Sequence, residues 1–275
     1  MTFSYGWKEE NETLHNVDDL RHSVVCLGAS DVPDDLDIDW FQDDQGAQPF
    51  CHAHMRTGAA EILAGLKMGE FPQYSRYFAA ITDMFMDGDD ASTPQGASIG
   101  GSLRASIKYG EALEKLMPYE PDPRRYSRHI DPPVLTDAQQ RGLVSLSPKI
   151  NDYATMMSLM TSGRYVIGFG LKWTTGWANL RNVATAEGRS IGGQILGGHA
   201  VLFFGWKTIK GDKWPILHNS HDGWGVQRRC AIPPNFVDYI LNGSIYGAWG
   251  MSDIKLNDFT PAPVDFNFRK KGILV

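Results

Sequence analysis

Cysteine is scarce in this chain: Cys26, Cys51 and Cys230 are the only three in 275 residues. An odd, sparse count argues against a disulfide framework and fits a reducing compartment such as a cytosol. No run of ~18 apolar residues occurs, so no membrane-spanning helix is expected. The start, Met1-Thr2-Phe3-Ser4-Tyr5-Gly6-Trp7-Lys8, lacks the basic residues and apolar stretch of a signal peptide. Basic patches are also missing. The net charge is −6 and acidic residues crowd the first 45 positions, which argues against a nucleic-acid partner.

What is present is an ordinary globular mixture, 42% hydrophobic and 21% charged, with 29 Gly and 8 Trp. Such a chain can bury a sizeable core and should contain many turns. Both termini are expected to be held, by the domain itself or by assembly partners.

Residues 1–44 read as an irregular acidic lead-in with a strand candidate at Ser23-Val24-Val25-Cys26-Leu27 and a turn at 31–35. After Pro49, the residues Met55, Ala59, Ile62, Leu63 and Leu66 recur at helical spacing, which places Cys51 in the first turn of a helix ending near Gly69. Further helices are expected at 73–86, 102–109 and 151–162, with a surface crossing at 118–133. Apolar or alternating segments at 164–170, 200–206, 214–219 and 228–232 read as strands. Helices first and strands second imply an α+β protein.

Acyl transfer by a thiol needs a thiolate, a base, an orienting group and donors for the oxyanion. A helix N-terminus favours a thiolate, and among the cysteines Cys51 has that placement. A lone cysteine is packing more often than nucleophile, by roughly 10 to 1. Its company shifts those odds. Gln45-Gly46 precedes Cys51 by a short loop, His199 follows Gly197-Gly198 at the mouth of an apolar strand, and Asn219 ends the next strand before Ser220 and Gly223-Trp224-Gly225.

Taken together, these segments resemble the papain family of cysteine peptidases. The match comprises Gln-Gly-x4-Cys, Gly-His-Ala-Val, and Asn-Ser followed by Gly-Trp-Gly. It continues through Gly96-Ala97-Ser98-Ile99, 105–110 and Met117-Pro118-Tyr119, and Tyr5-Gly6-Trp7 is similar to the start of bacterial members. His199 follows Cys51 by about 150 residues and Asn219 by about 170, against about 130–150 in the family.

The resemblance implies a papain-like α+β fold, with a helical half facing a β-barrel-like half across a cleft. Residues 1–275 would be one catalytic domain, with a lead-in at 1–44, a helical half at about 45–145, a β half at about 146–252 and an extension at 253–275. It implies a cysteine peptidase that needs no cofactor or metal and takes a peptide or protein substrate. Cys51 would be the nucleophile, His199 its acid and base, Asn219 the orienter and Gln45 an oxyanion donor. Gly96, Ala97 and Gly198 would line the peptide, and Trp224 the leaving-group side.

Several positions depart from the family pattern. The half-cystine before the nucleophile is missing, the aromatic after it is His52, and the tryptophan over the Asn–His bond is His221. A histidine is expected to shield that bond less well. Only the lead-in precedes Cys51, so no cleavable prosegment is expected.

Other readings compete. Catalytic identity without activity would leave a structural or interaction protein. The family occurs among tailed-phage proteins, so a virion component, moving from cytosol to virion on assembly, is one form of that reading. A cysteine amidase of cell-wall peptides is another alternative. Cys51-His52-Ala53-His54 could suggest zinc, but only Cys51 and His54 share a helix face and no second ligand pair follows. His218 and His221 read as polar strand-end residues beside the cleft, with His221 able to titrate. His15, His22 and His129 read as surface residues. The Gly-rich run at 188–198 reads as a mobile turn delivering His199, and the acidic run at 31–44 as a solvated face.

Overall fold

The computed structural model describes residues 34–40, 43–143, 146–147, 149–163, 165–243 and 247–256. The Tyr5-Gly6-Trp7 lead-in, the 23–27 strand candidate, Cys26, His15, His22 and most of the C-terminal extension lie outside the described residues.

Helix α1 (Cys51–Met68) starts at the expected cysteine and ends on Gly69, which takes the left-handed conformation at φ 81°. Every residue from Cys51 to Gly65 is buried, so α1 runs through the middle of the molecule. Its small residues make that possible. At Gly58 a Cβ would stand 2.8 Å from the Trp40 ring and 3.0 Å from Leu202.

Helices α2 (Arg76–Met86) and α3 (Ile99–Tyr109) pack beside α1. Their starts differ from the sequence expectation because serine caps decide them. The Ser75 side chain accepts from the Phe78 N–H, and that of Ser98 from the Gly101 N–H. Helix α2 therefore begins later than expected and α3 earlier. The short helix α4 (Pro132–Ala138) opens on a proline pair at the end of the expected surface crossing. Strand β1 (Arg141–Leu143) and helix α5 (Tyr153–Gly163) follow.

The second half is built on a sheet. Strand β2 (Val166–Thr174) runs into a one-turn helix α6 (Thr175–Ala178), followed by β3 (Ile195–Ile209), β4 (Asp212–His218) and β5 (Arg229–Ala231). Helix α7 (Pro234–Gly243), β6 (Ala248–Met251) and β7 (Ile254–Leu256) complete the described chain. The antiparallel sheet has the order β5-β4-β3-β2-β6, and β1 pairs with β7. Strand β3 is far longer than expected. Gly197 and Gly198, read as a turn, are paired with Trp173 and Lys172 inside it. Gly192 and Gln194 accept backbone hydrogen bonds from Gly176 and Thr175, so this part of the Gly-rich run is anchored to α6 rather than mobile.

The two-residue period of the strands sorts the core. Ala200, Leu202 and Phe204 face α1, where they meet Met55, Ala59, Ile62 and Leu63. Val201 and Phe203 face the other way, toward Met156 and Met160 of α5 and Val237 and Ile240 of α7. A third cluster joins α1 to α2 and α3 through Phe50, Ala53, Phe78, Ile81 and Tyr109. Each large side chain buried in these layers contributes about 1.5–3 kcal/mol.

Candidate active site

Cys51 is the first residue of α1, and no side chain caps that helix. The uncapped N–H groups and the positive end of the helix dipole therefore lie at the thiol. Cys51 shares a core cluster with Ala200, the neighbour of His199, because α1 packs along β3. Neither of the two described cysteines, Cys51 and Cys230, forms a disulfide.

His199 and Asn219 sit on the strand face turned away from α1, with Val201 and Leu217. The imidazole Nε2 lies 2.8 Å from Asn219 Oδ1. Oδ1 also accepts the His221 N–H at 3.2 Å, so it is the acceptor end of the amide. Nε2 must then carry the proton, which puts the imidazole lone pair on Nδ1. The Asn219 N–H is held by the Arg228 carbonyl at 3.0 Å.

Arg228, expected in the strand at 228–232, instead occupies the turn before β5. Val226 and Arg229 exchange two backbone hydrogen bonds around Gln227 and Arg228. Both central residues are left-handed, at φ 52° and 64°. Such two-residue turns prefer Asn-Gly, and each bulky residue there costs about 1–2 kcal/mol.

His199 is fully buried, and the expectation of a poorly shielded hydrogen bond is not met. His221 stacks on His199 with ring centroids 5.0 Å apart and 12° between planes. Trp173, on β2, meets the same ring edge-on at 4.7 Å. Trp224 packs at 5.9 Å from Trp173 and donates its indole N–H to the Trp177 carbonyl. Trp224 is thus 3% exposed, a brace behind Trp173 in this state. Trp173 and Trp177 were missed from sequence. The signal available was the place of Trp173 in the strand that pairs with the His199 segment, with Trp177 one turn further on in α6.

Burial and the neighbouring His221 push His199 down to about 3. Burial likewise lowers His221 to about 4. His221 is therefore neutral near pH 7, contrary to its reading as a group titrating at the cleft edge. His218 is also buried, facing α1 and lying edge-on to Trp40 at 5.2 Å. Strand parity explains the difference: Ile216 and His218 share the α1 face, and Asn219 takes the other.

Gln45 is buried and tied to the end of β4. Its N–H donates to the Ser220 carbonyl at 2.9 Å. The Ser220 hydroxyl donates to Gln45 Oε1 at 2.7 Å, and Gln45 Nε2 donates to the Gln48 carbonyl at 2.7 Å. Ser220 therefore fixes which end of the Gln45 amide is the donor. Tyr119 supports the same loop by donating to the Gln45 carbonyl at 2.8 Å, and it packs edge-on against His54 at 4.9 Å.

His52, in the place of the family aromatic, does not point at solvent. Its Nδ1 lies 2.8 Å from Asp83 Oδ2 on α2. Arg56, one turn on, also engages Asp83, and reaches Glu111 Oε1 at 2.8 Å and the Gly110 carbonyl at 2.6 Å. Gly110 is required there: its φ is 83°, and a Cβ would stand 1.9 Å from the Ala138 carbonyl oxygen. Gly96 and Ala97 are buried just before the Ser98 cap, whereas Gly198 is half-buried beside His199. His129 is exposed. Among the described residues no group of three His, Cys, Asp or Glu could hold a metal ion, and no helix is long and apolar enough to cross a membrane.

No family model matches the chain, and no curated protein matches its sequence. Solved structures do match. Xylellain, a cysteine protease from Xylella fastidiosa, is 20% identical with a TM-score of 0.68, over 91% of this chain and 96% of that one. The Amb a 11 cysteine protease, a ragweed pollen allergen in its proform, is 17% identical with a TM-score of 0.62, over 83% and 68%. Bromelain from Ananas comosus, in complex with the E64 inhibitor, is 15% identical with a TM-score of 0.59, over 81% and 100%. The helical wall led by Cys51, the antiparallel sheet carrying His199 and Asn219, and these likenesses give one conclusion: the chain has the fold of the papain-like cysteine proteases.

Proposed function

We propose that the protein is a thiol hydrolase, a cysteine peptidase that cleaves peptide bonds through an acyl-enzyme. The observation that carries this reading is the buried hydrogen bond from His199 Nε2 to Asn219 Oδ1. It leaves the basic nitrogen Nδ1 for a thiol, and Cys51 stands at the head of α1 to supply one.

In this reading Nδ1 takes the Cys51 proton, and the sulfur attacks the scissile carbonyl carbon. The carbonyl π electrons move onto oxygen, which the Cys51 N–H and Gln45 Nε2 stabilise. When the tetrahedral species collapses, the C–N bond breaks and Nδ1–H protonates the leaving amine. Water, deprotonated by His199, then attacks the thioester and releases the acid and the thiolate. Asn219 holds the imidazole throughout, and Ser220 aims the Gln45 amide. Gly96, Ala97 and Gly198 would supply peptide contacts.

A second reading keeps the fold and drops the turnover, leaving a structural or interaction protein. The observation favouring it is closure: Cys51, His199 and Gln45 are 0% exposed and Asn219 is 1% exposed. Labelling with an electrophilic epoxide or vinyl sulfone probe, with the site assigned by mass spectrometry, separates the two. Cys51 should be labelled in the wild type and nothing in Cys51→Ala. Equal labelling of both chains would sink the peptidase reading.

A further inference from the structure

Strand β2 outruns its neighbour on the outer edge. Its ladder to β3 continues to Thr174, whereas its ladder to β6 stops at Phe169 and Ala248. The main-chain directions follow from β6. The carbonyls of Ala248 and Gly250 accept from the Ile150 and Ser147 N–H groups, each at 2.8 Å, and the Gly250 N–H donates to Ser147 Oγ. Ala248 and Gly250 therefore turn away from β2. Trp249 and Met251 turn toward it, opposite Gly168 and Val166. The same alternation points the N–H and C=O of Lys172 and Thr174 outward, past the end of β6. Thr175 has the opposite parity, and its N–H goes inward to the Gln194 carbonyl at 2.9 Å. Among the described residues no hydrogen bond meets the outward groups of Lys172 and Thr174.

This open stretch lies along a cavity of about 270 Å3. Tyr239 and Ile240 of α7 line it, as do Ile191 and Ile195. Tyr239 is 64% exposed and Ile195 56%, the two most exposed large apolar side chains among the described residues. Lys172 is the one charged residue in the lining. It is exposed, and among the described residues no carboxylate pairs with it.

Two outward N–H and C=O pairs, two residues apart, are what a further strand bonds to. The side chains of an added strand alternate between the faces of the sheet. One set would lie over Tyr239 and Ile240, on the Val201 face, where apolar residues fit. The other set would lie on the face of Lys172, where a carboxylate fits. A second copy of this chain is a poor occupant. Pairing two such edges antiparallel brings the two Lys172 side chains within a residue or two of each other, and like charges across a strand pair repel.

We propose that the outer edge of β2 at 172–174 captures an extended segment of another polypeptide by strand addition, with apolar residues over Tyr239 and an acidic residue beside Lys172. Leu171 pairs with His199, so the segment is held one strand away from the imidazole. The binding does not rest on the peptidase reading.

Fluorescence anisotropy on the full chain, with Cys51→Ala as a non-hydrolysing background, tests the capture. The probe is a fluorescein-labelled Val-Glu-Val-Glu-Val peptide amide. It is expected to bind with a Kd of about 100 μM or tighter, and a Val-Lys-Val-Lys-Val peptide about tenfold more weakly. Of two probes N-methylated at the Val or at the Glu residues, one should lose about tenfold and the other little, because only alternate N–H groups face the edge. Lys172→Glu should reverse the preference between the Glu and Lys peptides, and Tyr239→Asp should weaken both. No binding at about 1 mM, N-methylated probes that both bind as well as the parent, or an unchanged preference in Lys172→Glu would overturn the proposal. Lys172 and Tyr239 are exposed, so both variants should fold, as circular dichroism checks; the N-methyl comparison needs neither. A photoreactive benzoylphenylalanine at the central Val locates the site by mass spectrometry. Adducts on α7 or at 191–195 are expected. Adducts at residue 51, Gly96 or Ala97 would put the peptide in the cleft and overturn the proposal. A dimer that dissociates in Tyr239→Asp, with no peptide bound, would give the edge to a second copy and overturn it too.

Discussion

The helix behind Cys51 and the strands behind His199 bury polar groups by opposite means. On the helix side acids and bases are buried as pairs, with burial raising Glu61 to about 7. Arg56 joins Asp83 and Glu111, and Arg76 joins Glu61 through both oxygens. Trp40 and the Tyr74 N–H add donors to the same Glu61 carboxylate. On the strand side the buried groups are neutral rings and amides: His199, His218, His221 and Asn219, braced by Trp173 and Trp224. Paired charge resists separation, so the helix wall should be a fixed base for Cys51. Neutral imidazoles stay buried only while they stay unprotonated, so the strand wall should be sensitive to acid.

The largest effect should come from breaking the charged wall. Arg56→Met strands Asp83 and Glu111 in the interior and should cost about 3–5 kcal/mol, read by urea denaturation. A loss under about 1 kcal/mol would show that the network contributes little.

Acid should break the other wall. His199 and His221 have folded values of about 3 and about 4, below the usual 6.5. Burial also lowers His218 on the same wall, and His54 on α1 as well. Between these values and 6.5 the unfolded chain binds protons that the folded chain does not. Stability is therefore complete above about pH 6.5 and falls as the pH drops toward about 4, by roughly 3 kcal/mol each for His199 and His221. A melting temperature that stays flat across that window would contradict the neutral-wall picture.

Asn219→Ala removes one hydrogen bond from the imidazole and leaves its Nε2 proton buried. The turnover of a peptide substrate should fall about tenfold to a hundredfold, which is about 1.5–3 kcal/mol. The measurement is kcat at saturating substrate, beside the rate of Cys51 alkylation. Equal rates in both chains would mean that stacking alone positions His199.

The smallest effect concerns the strained turn. Gln227→Gly relieves a left-handed side chain and should raise stability by about 0.5–1 kcal/mol in thermal unfolding. A loss would mean that the Gln227 side chain makes contacts that outweigh the strain.

Much of this was readable before any coordinates. Periodicity after Pro49 placed Cys51 in the first turn of a helix ending near Gly69, close to the observed Cys51–Met68, because an amphipathic pattern and a terminal glycine are local signals. The four chemical identities, Cys51, His199, Asn219 and Gln45, were legible as motifs in order. Helix starts at Ser75 and Ser98 were misjudged because a cap acts on single N–H groups, which periodicity does not see. Helices α4 and α7 were missed for being short, and the pairing of Gly197 and Gly198 within β3 was hidden because glycine reads as a turn.

The sequence by itself determined which groups could do chemistry, since residue type fixes pKa range, nucleophilicity and hydrogen-bonding capacity. Only the tertiary structure decided their surroundings. Strand parity put His218 against α1 and Asn219 beside His199. Packing turned His221 into a stacked cover and brought Trp173, from another strand, onto the same ring. Hydrogen bonding across the chain joined Gln45 to Ser220. These contacts span distant parts of the sequence, and the physical reason they escape it is that burial and orientation belong to the packed whole rather than to any segment.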